Sequence, residues 1–198
     1  MCNQTYTKIG TKYTLLCHFN TPTGLGGRSN FTSETKTKNS MKTVFEKATR
    51  DELINRIQSL RESDSAQWGK MNVYQMVKHC SRWDEWILGK SNLVYKQEFL
   101  GFLFGKMVLR NLMKDDRPLG KNSPSGSAFI IKEKEGNFEL EKKIWIQRIA
   151  EYEHFSNPDF IHDFFGKMTT EEIGKFAYKH ADHHLRQFNA HVLHSYAS

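Results

Sequence analysis

The stretch that most constrains this chain lies near its C-terminus. Thr169-Thr-Glu-Glu172 forms a capping box, in which a threonine hydroxyl and a glutamate carboxylate each satisfy a free amide at a helix start. Ile173, Ala177, His180, His184, Phe188 and His191 then fall in one stripe at about 100° per residue. Such a stripe is the inward face of a helix, here running to about Leu193. Two imidazoles one turn apart therefore sit on a face that must be buried.

Other helices are needed to bury it, and the sequence supplies them. Thr49-Arg-Asp-Glu52 reads as a second capping box, followed by Leu53, Ile54, Ile57 and Leu60 at helical spacing. Asn72 is placed to cap a helix carrying Val73, Met76, Val77, Cys80, Trp83 and Ile87, which ends near Gly89. A third helix over about 97–114 is apolar on most sides and is expected to be well buried. Asn137 to about Phe155 is a further amphipathic stretch, broken by Ser156-Asn-Pro-Asp159. The Pro- and Gly-containing segment 115–127 is a loop, and Phe129-Ile-Ile131 is a short extended run expected to cover one end of the helices, within 128–133. These patterns predict an all-α four-helix bundle in residues 41–198.

Residues 1–40 are rich in Thr, Asn, Ser and Gly without sustained periodicity, and read as a disordered extension. Met41-Lys-Thr-Val-Phe45 resembles a natural start, so the expectation is that the extension is not native and that its deletion leaves the domain intact. This segment also explains much of the net charge of +7. It carries five basic residues (Lys8, Lys12, Arg28, Lys36, Lys38) against Glu34, leaving only +3 for the remainder. No basic block is interleaved with aromatics, which argues against a nucleic-acid partner. No apolar run reaches the ~20 residues of a membrane span. Three cysteines, Cys2, Cys17 and Cys80, make no disulfide framework, and the chain reads as cytoplasmic.

The chemistry rests on histidine. His180 and His184, four apart on one face, can both reach one metal ion. Two buried neutral imidazoles otherwise need hydrogen-bond partners, so a metal and a hydrogen-bonded pair both remain open. By angle, His183 and Lys179 fall to the flank and Asp182 well away from the face. His79, at the margin of the stripe on the Asn72 helix, can supply a third ligand from a facing helix. Cys80 competes, although its position in the middle of that stripe suits a core thiol. His154 and His162 lie in or near loops, His191 is too far from His184 to share an ion, and His18 and His194 read as exposed or disordered.

Trp68-Gly-Lys-Met71, Gln75-Met-Val-Lys-His79, Phe164-Phe-Gly-Lys-Met-Thr169 and His180-Ala-Asp-His-His-Leu-Arg-Gln-Phe188 together resemble the DinB-like metal-binding bundle superfamily, in a branch of unknown function. The likeness covers about residues 41–194. It implies that His79, His180 and His184 bind a divalent metal, nickel or zinc, with coordination positions left open. Some relatives are thiol-dependent transferases that use a low-molecular-weight thiol. Two functions follow as expectations: a metal-dependent thiol transferase acting on a small electrophile, or a non-catalytic scaffold or dimerisation module with a structural metal. A His pair without an intervening Glu departs from helical metalloprotease chemistry. Arg186 and Gln187 follow the ligands, where they can orient a carboxylate or thiol cofactor, although the angle of Arg186 suits a surface or helix-pairing residue; Lys121, Asn122 and Ser123 form either the mouth for an anionic ligand or an ordinary solvated loop. Trp83 and Trp86, one turn beyond His79, read as core, with the lining of a pocket as the second reading. A homodimer through the Phe-rich third helix is the remaining partner expectation.

Overall fold

The computed structural model describes residues 41–92, 97–122 and 126–191, together with two short strands in the N-terminal segment. The chain divides into two units, Met1–Lys38 and Asn39–Ser198. In the first, β1 (Thr7–Ile9) pairs antiparallel with β2 (Lys12–Thr14), Lys8 facing Tyr13. Otherwise the expectation for residues 1–40 lies outside the described residues.

The second unit is mostly helical. Helix α1 (Lys47–Gln58) begins earlier than its supposed capping box, and Glu46 at its N-cap makes no side-chain cap bond. Thr49 is instead buried inside the first turn, while the Glu52 carboxylate is engaged by Lys42 and Arg56. Buried Arg50 steadies this start by donating to the carbonyls of Val44 and Phe45. Helix α2 (Val73–Ile87) opens on a capping box between Asn72 and Gln75, and the chain leaves it through Gly89 at φ +70°. That is a left-handed conformation glycine adopts without strain.

Helix α4 (Phe138–Glu151) is capped by Asn137 and continues into a 3₁₀ turn, Tyr152–His154. Helix α5 (Thr170–Gln187) opens on the Thr169–Glu172 box. It stops at Gln187, short of the expected Leu193, because Asn189 takes φ +59° and turns the chain inward. Buried Ala190 then offers its carbonyl to Arg56 Nε at 2.8 Å. His191, expected on the inward stripe, is consequently past the helix end and exposed.

Helices α1 and α2 each pack on both α4 and α5, and the core lies between them. Leu53, Ile57, Met76, Val77, Trp145, Ile149, Ile173 and Leu185 are all fully buried there. A carboxylate shares that core: Asp84 accepts from Trp145 Nε1 at 2.9 Å and from the Tyr152 hydroxyl at 2.7 Å.

Helix α3 (Phe99–Leu112) corrects the sequence reading, since only Gly101, Gly105 and Leu109 are buried and its large apolar side chains face outward. It packs beside a two-stranded hairpin, β3 (Ile161–His162) with β4 (Gly166–Lys167). Its inner face is glycine because the Phe164 backbone runs against it; a Cβ at Gly101 would lie 2.3 Å from the Phe164 carbonyl oxygen. Hydrophobicity alone cannot tell a buried helix from one whose apolar side chains stay exposed.

Residues 128–133 form no strand. Ser127–Phe129 is a single 3₁₀ turn, after which Ile130 faces out and Ile131 in. The segment nonetheless covers the helices, with Phe129 packed on Trp86 and the Ile131 carbonyl accepting from Gln75 Nε2. No helix among the described residues is long and apolar enough to cross a membrane.

Candidate metal centre

Helix α2 presents His79 and helix α5 presents His180 and His184 to one point. One nitrogen from each ring lies within 4.8 Å of the others; His79 and His184 are buried as whole residues and His180 is half-buried. His79 Nε2 and His180 Nε2 are 3.3 Å apart. No carboxylate or thiol joins this group among the described residues.

The ring orientations follow from what their far nitrogens touch. His79 Nδ1 is 2.9 Å from the Phe129 carbonyl, which can only accept, so Nδ1 carries the proton and Nε2 keeps its lone pair. At His184, Nδ1 is 2.9 Å from Gln187 Oε1, while Gln187 Nε2 donates to the Trp68 carbonyl at 2.7 Å. That second bond sets the amide's direction, so His184 also donates from Nδ1 and turns a bare Nε2 inward. Metal-binding histidines are held this way, by acceptors behind the ring that choose the tautomer. His180 is held by stacking, its ring 4.0 Å from that of Trp83 and tilted by 26°.

The electrostatics point the same way. Burial, then the neighbouring His184 and His79 rings, holds His180 well below the ordinary histidine range. Burial and then His79 do the same at His184. Burial lowers His79, partly offset by its bond to Phe129. All three rings are therefore neutral at pH 7, the form that ligates metal. Without a cation the cluster satisfies itself only if His180 carries its proton on Nε2 and donates to His79. Three neutral imidazoles with no fourth protein ligand among the described residues fit a divalent ion with an open position.

The other expected residues separate into distinct roles. Cys80 is a core thiol, wholly buried with Sγ 3.8 Å from Met76 Sδ, and burial pushes its pKa well up. Asp182 does not point outward as its helical angle suggested: it is buried, accepting from Arg56 Nη1 at 2.8 Å and Arg186 Nε at 2.7 Å. Lys179 is buried too, donating to the carbonyls of Asp115 and Arg117 and so tying the loop after α3 to α5. Helix α5 has more than one covered side because α1 and this loop pack where solvent was expected.

His183 is buried against Trp68 rather than in the cluster. His162 in β3 is buried among Trp86, Phe165 and Phe176, and His154 is exposed. His18 and His194 lie outside the described residues. A cleft of about 320 Å³ reaches His184, lined by Trp68, Met71, Asn122, Ile131, His183 and Gln187 among others. The Lys121 ammonium sits 4.6 Å over the Trp68 ring, and Ser123 lies outside the described residues.

Of the three groups that orient the ligands, the sequence reading named two in other roles, Gln187 toward a cofactor and Trp83 in the core, and missed the third, the Phe129 carbonyl. Gln187 lies one turn past His184 and Trp83 one turn past His79, so helical spacing alone could have nominated both. The Phe129 carbonyl left no such signal. A family model described as a protein of unknown function (DUF1569) matches residues 39–191, and the chain belongs to that family. No curated protein and no solved structure matches the chain.

Proposed function

We propose that this DUF1569 protein binds a divalent metal, nickel or zinc, through His79, His180 and His184, and works as a metal-dependent thiol transferase on a small electrophile. The observation that carries the reading is the convergence of three buried neutral imidazoles, two of them with Nδ1–H locked onto acceptors behind the ring. The mutual packing of α1, α2, α4 and α5, with ligands on the second and last of them, supports a DinB-like four-helix bundle.

A bound divalent ion supplies Lewis acidity that stabilises a coordinated thiolate at neutral pH. The chain's own residues do the rest. Gln187 and the Phe129 carbonyl keep two lone pairs aimed inward, Trp83 fixes the third ring, and burial keeps a second proton off all three. The cleft beside His184 admits a small molecule, and Lys121 on its Trp68 side can orient an anionic group. Asp182, committed to Arg56 and Arg186, is not free to serve as a general base for hydrolysis.

The test is metal content of the untagged full chain beside His180→Ala and His184→Ala. We expect about one equivalent of a divalent ion in the wild type, as for a single three-histidine site, and loss of it in both variants. A wild-type protein that is empty and refuses added nickel and zinc sinks the reading. If metal binds, thiol titration of the cobalt-substituted protein follows. A new thiolate-to-metal charge-transfer band supports the transferase, and its absence favours a non-catalytic, structural metal.

A further inference from the structure

Helix α3 is fixed in place and yet uncovered by any of the described residues. Its glycine face is pressed onto the Phe164 backbone so closely that a Cβ at Gly105 would lie 2.1 Å from the Phe164 carbonyl oxygen. Any side chain rolled into that seat would clash, so the helix cannot turn to hide its other face. On that face Phe99 is 75% exposed, Phe102 74% and Met107 63%, with Leu100, Leu103 and Phe104 each about half exposed.

A phenylalanine can bury about 150–250 Å², so the three phenylalanines alone leave roughly 300–500 Å² of apolar surface in water. The two leucines and Met107 carry the patch toward the roughly 800 Å² per partner of a standard interface. Monomers rarely expose contiguous apolar patches beyond a few hundred Å².

The order of residues says what fits there. Around Leu103 the sequence is nearly a palindrome: Phe102 mirrors Phe104, Gly101 mirrors Gly105, and Phe99 mirrors Met107. Two antiparallel copies related by a twofold axis at Leu103 would set Phe99 of each beside Met107 of the other and Leu100 beside the Lys106 stem, with Phe102 and Phe104, about 100° to either side of Leu103, flanking the seam. Such self-complementarity is what an isologous interface requires. Lys106 and Arg110 are the only charged residues within α3, and the Lys106 ammonium is folded back onto the Lys167 carbonyl, out of the seam. A helix built to lie on an anionic bilayer would instead keep such cations free for lipid.

We infer that the outer face of α3 is the interface of a twofold homodimer of this chain, an inference independent of the metal centre. Sedimentation velocity of the full chain at micromolar concentration should give twice 23.2 kDa. Leu103→Arg, which places two like charges at the axis, should weaken association at least about tenfold, as for a central interface residue, with the far-UV helical spectrum unchanged. Leu103→Cys should form a disulfide-linked dimer under mild oxidation beyond any wild-type background, and Lys143→Cys on exposed α4 should not. A wild-type monomer overturns the inference, as does a dimer indifferent to Leu103→Arg. A monomer that sediments with phosphatidylglycerol vesicles also overturns it and assigns the face to lipid.

Discussion

Helices α2 and α5 put imidazoles where a core usually puts leucines, and α3 puts phenylalanines where a surface usually puts lysines. The two regions invert the burial rule in opposite directions, and they differ in what surrounds the exception. Around the histidines, the Phe129 carbonyl, Gln187 and the Trp83 ring all serve to orient a nitrogen. Around the α3 side chains nothing among the described residues provides cover. The histidines are buried with a partner set behind each ring, whereas the α3 side chains are held rigidly with no partner among the described residues.

The comparison can be sharpened first at the tryptophan that joins packing to site. Trp83→Ala should cost about 3–5 kcal/mol, the range for a large buried aromatic, because it removes both core volume and the surface His180 stacks upon. Phe102→Ser on α3 should stay within about 0.5 kcal/mol in the dissociated protein. Denaturant melts of the two variants side by side measure the contrast, and equal losses would erase it.

Next in size is an effect of pH on the buried interior. Burial raises the Asp84 carboxyl to about 7, although its bonds from Tyr152 and Trp145 and the charge of Arg148 pull the other way. Its folded pKa exceeds its unfolded one, so between about pH 4 and 7 the native state holds the extra proton. Stability should therefore fall as pH rises through that window, and level off above it. At about 1.4 kcal/mol per pKa unit the loss amounts to a few kcal/mol. Asp84→Asn should flatten this slope in urea titrations across pH; a slope of the same steepness would show that the carboxylate is not its source.

The smallest effect tests whether the bracket behind His184 is functional. Gln187→Ala should leave the helix intact and weaken metal binding about 10- to 100-fold, as loss of a partner behind a ligand does. Competition against a chromogenic chelator reads this directly. Unchanged affinity would mean that the tautomer of His184 needs no help.

Much of this was legible residue by residue. The cap at Asn72, the capping box at Thr169, the glycine exit after α2 and the break near 156–159 are local signals, and α2, α4 and α5 follow from them with small errors at their ends. The pairing of His180 with His184 was legible as well, because residues i and i+4 share a helix face, whereas His79 stood beside Cys80 as a candidate until the resemblance singled it out. The false start at Thr49 shows the limit: its residues match the motif, but the burial of Thr49 and the pairing of Glu52 with Lys42 and Arg56 claimed both side chains.

By itself the sequence determined which segments are helical and which face of each is apolar, since both depend on neighbours within a turn or two. Only the tertiary structure decided which of those faces are covered. Asp182 went inside because Arg56, on a helix distant in the chain, met it there. The α3 phenylalanines stayed outside because the core was already closed by α1, α2, α4 and α5 and glycine was what the Phe164 backbone would accept. Coverage is a property of pairs of elements, and no single helix's pattern records its partner.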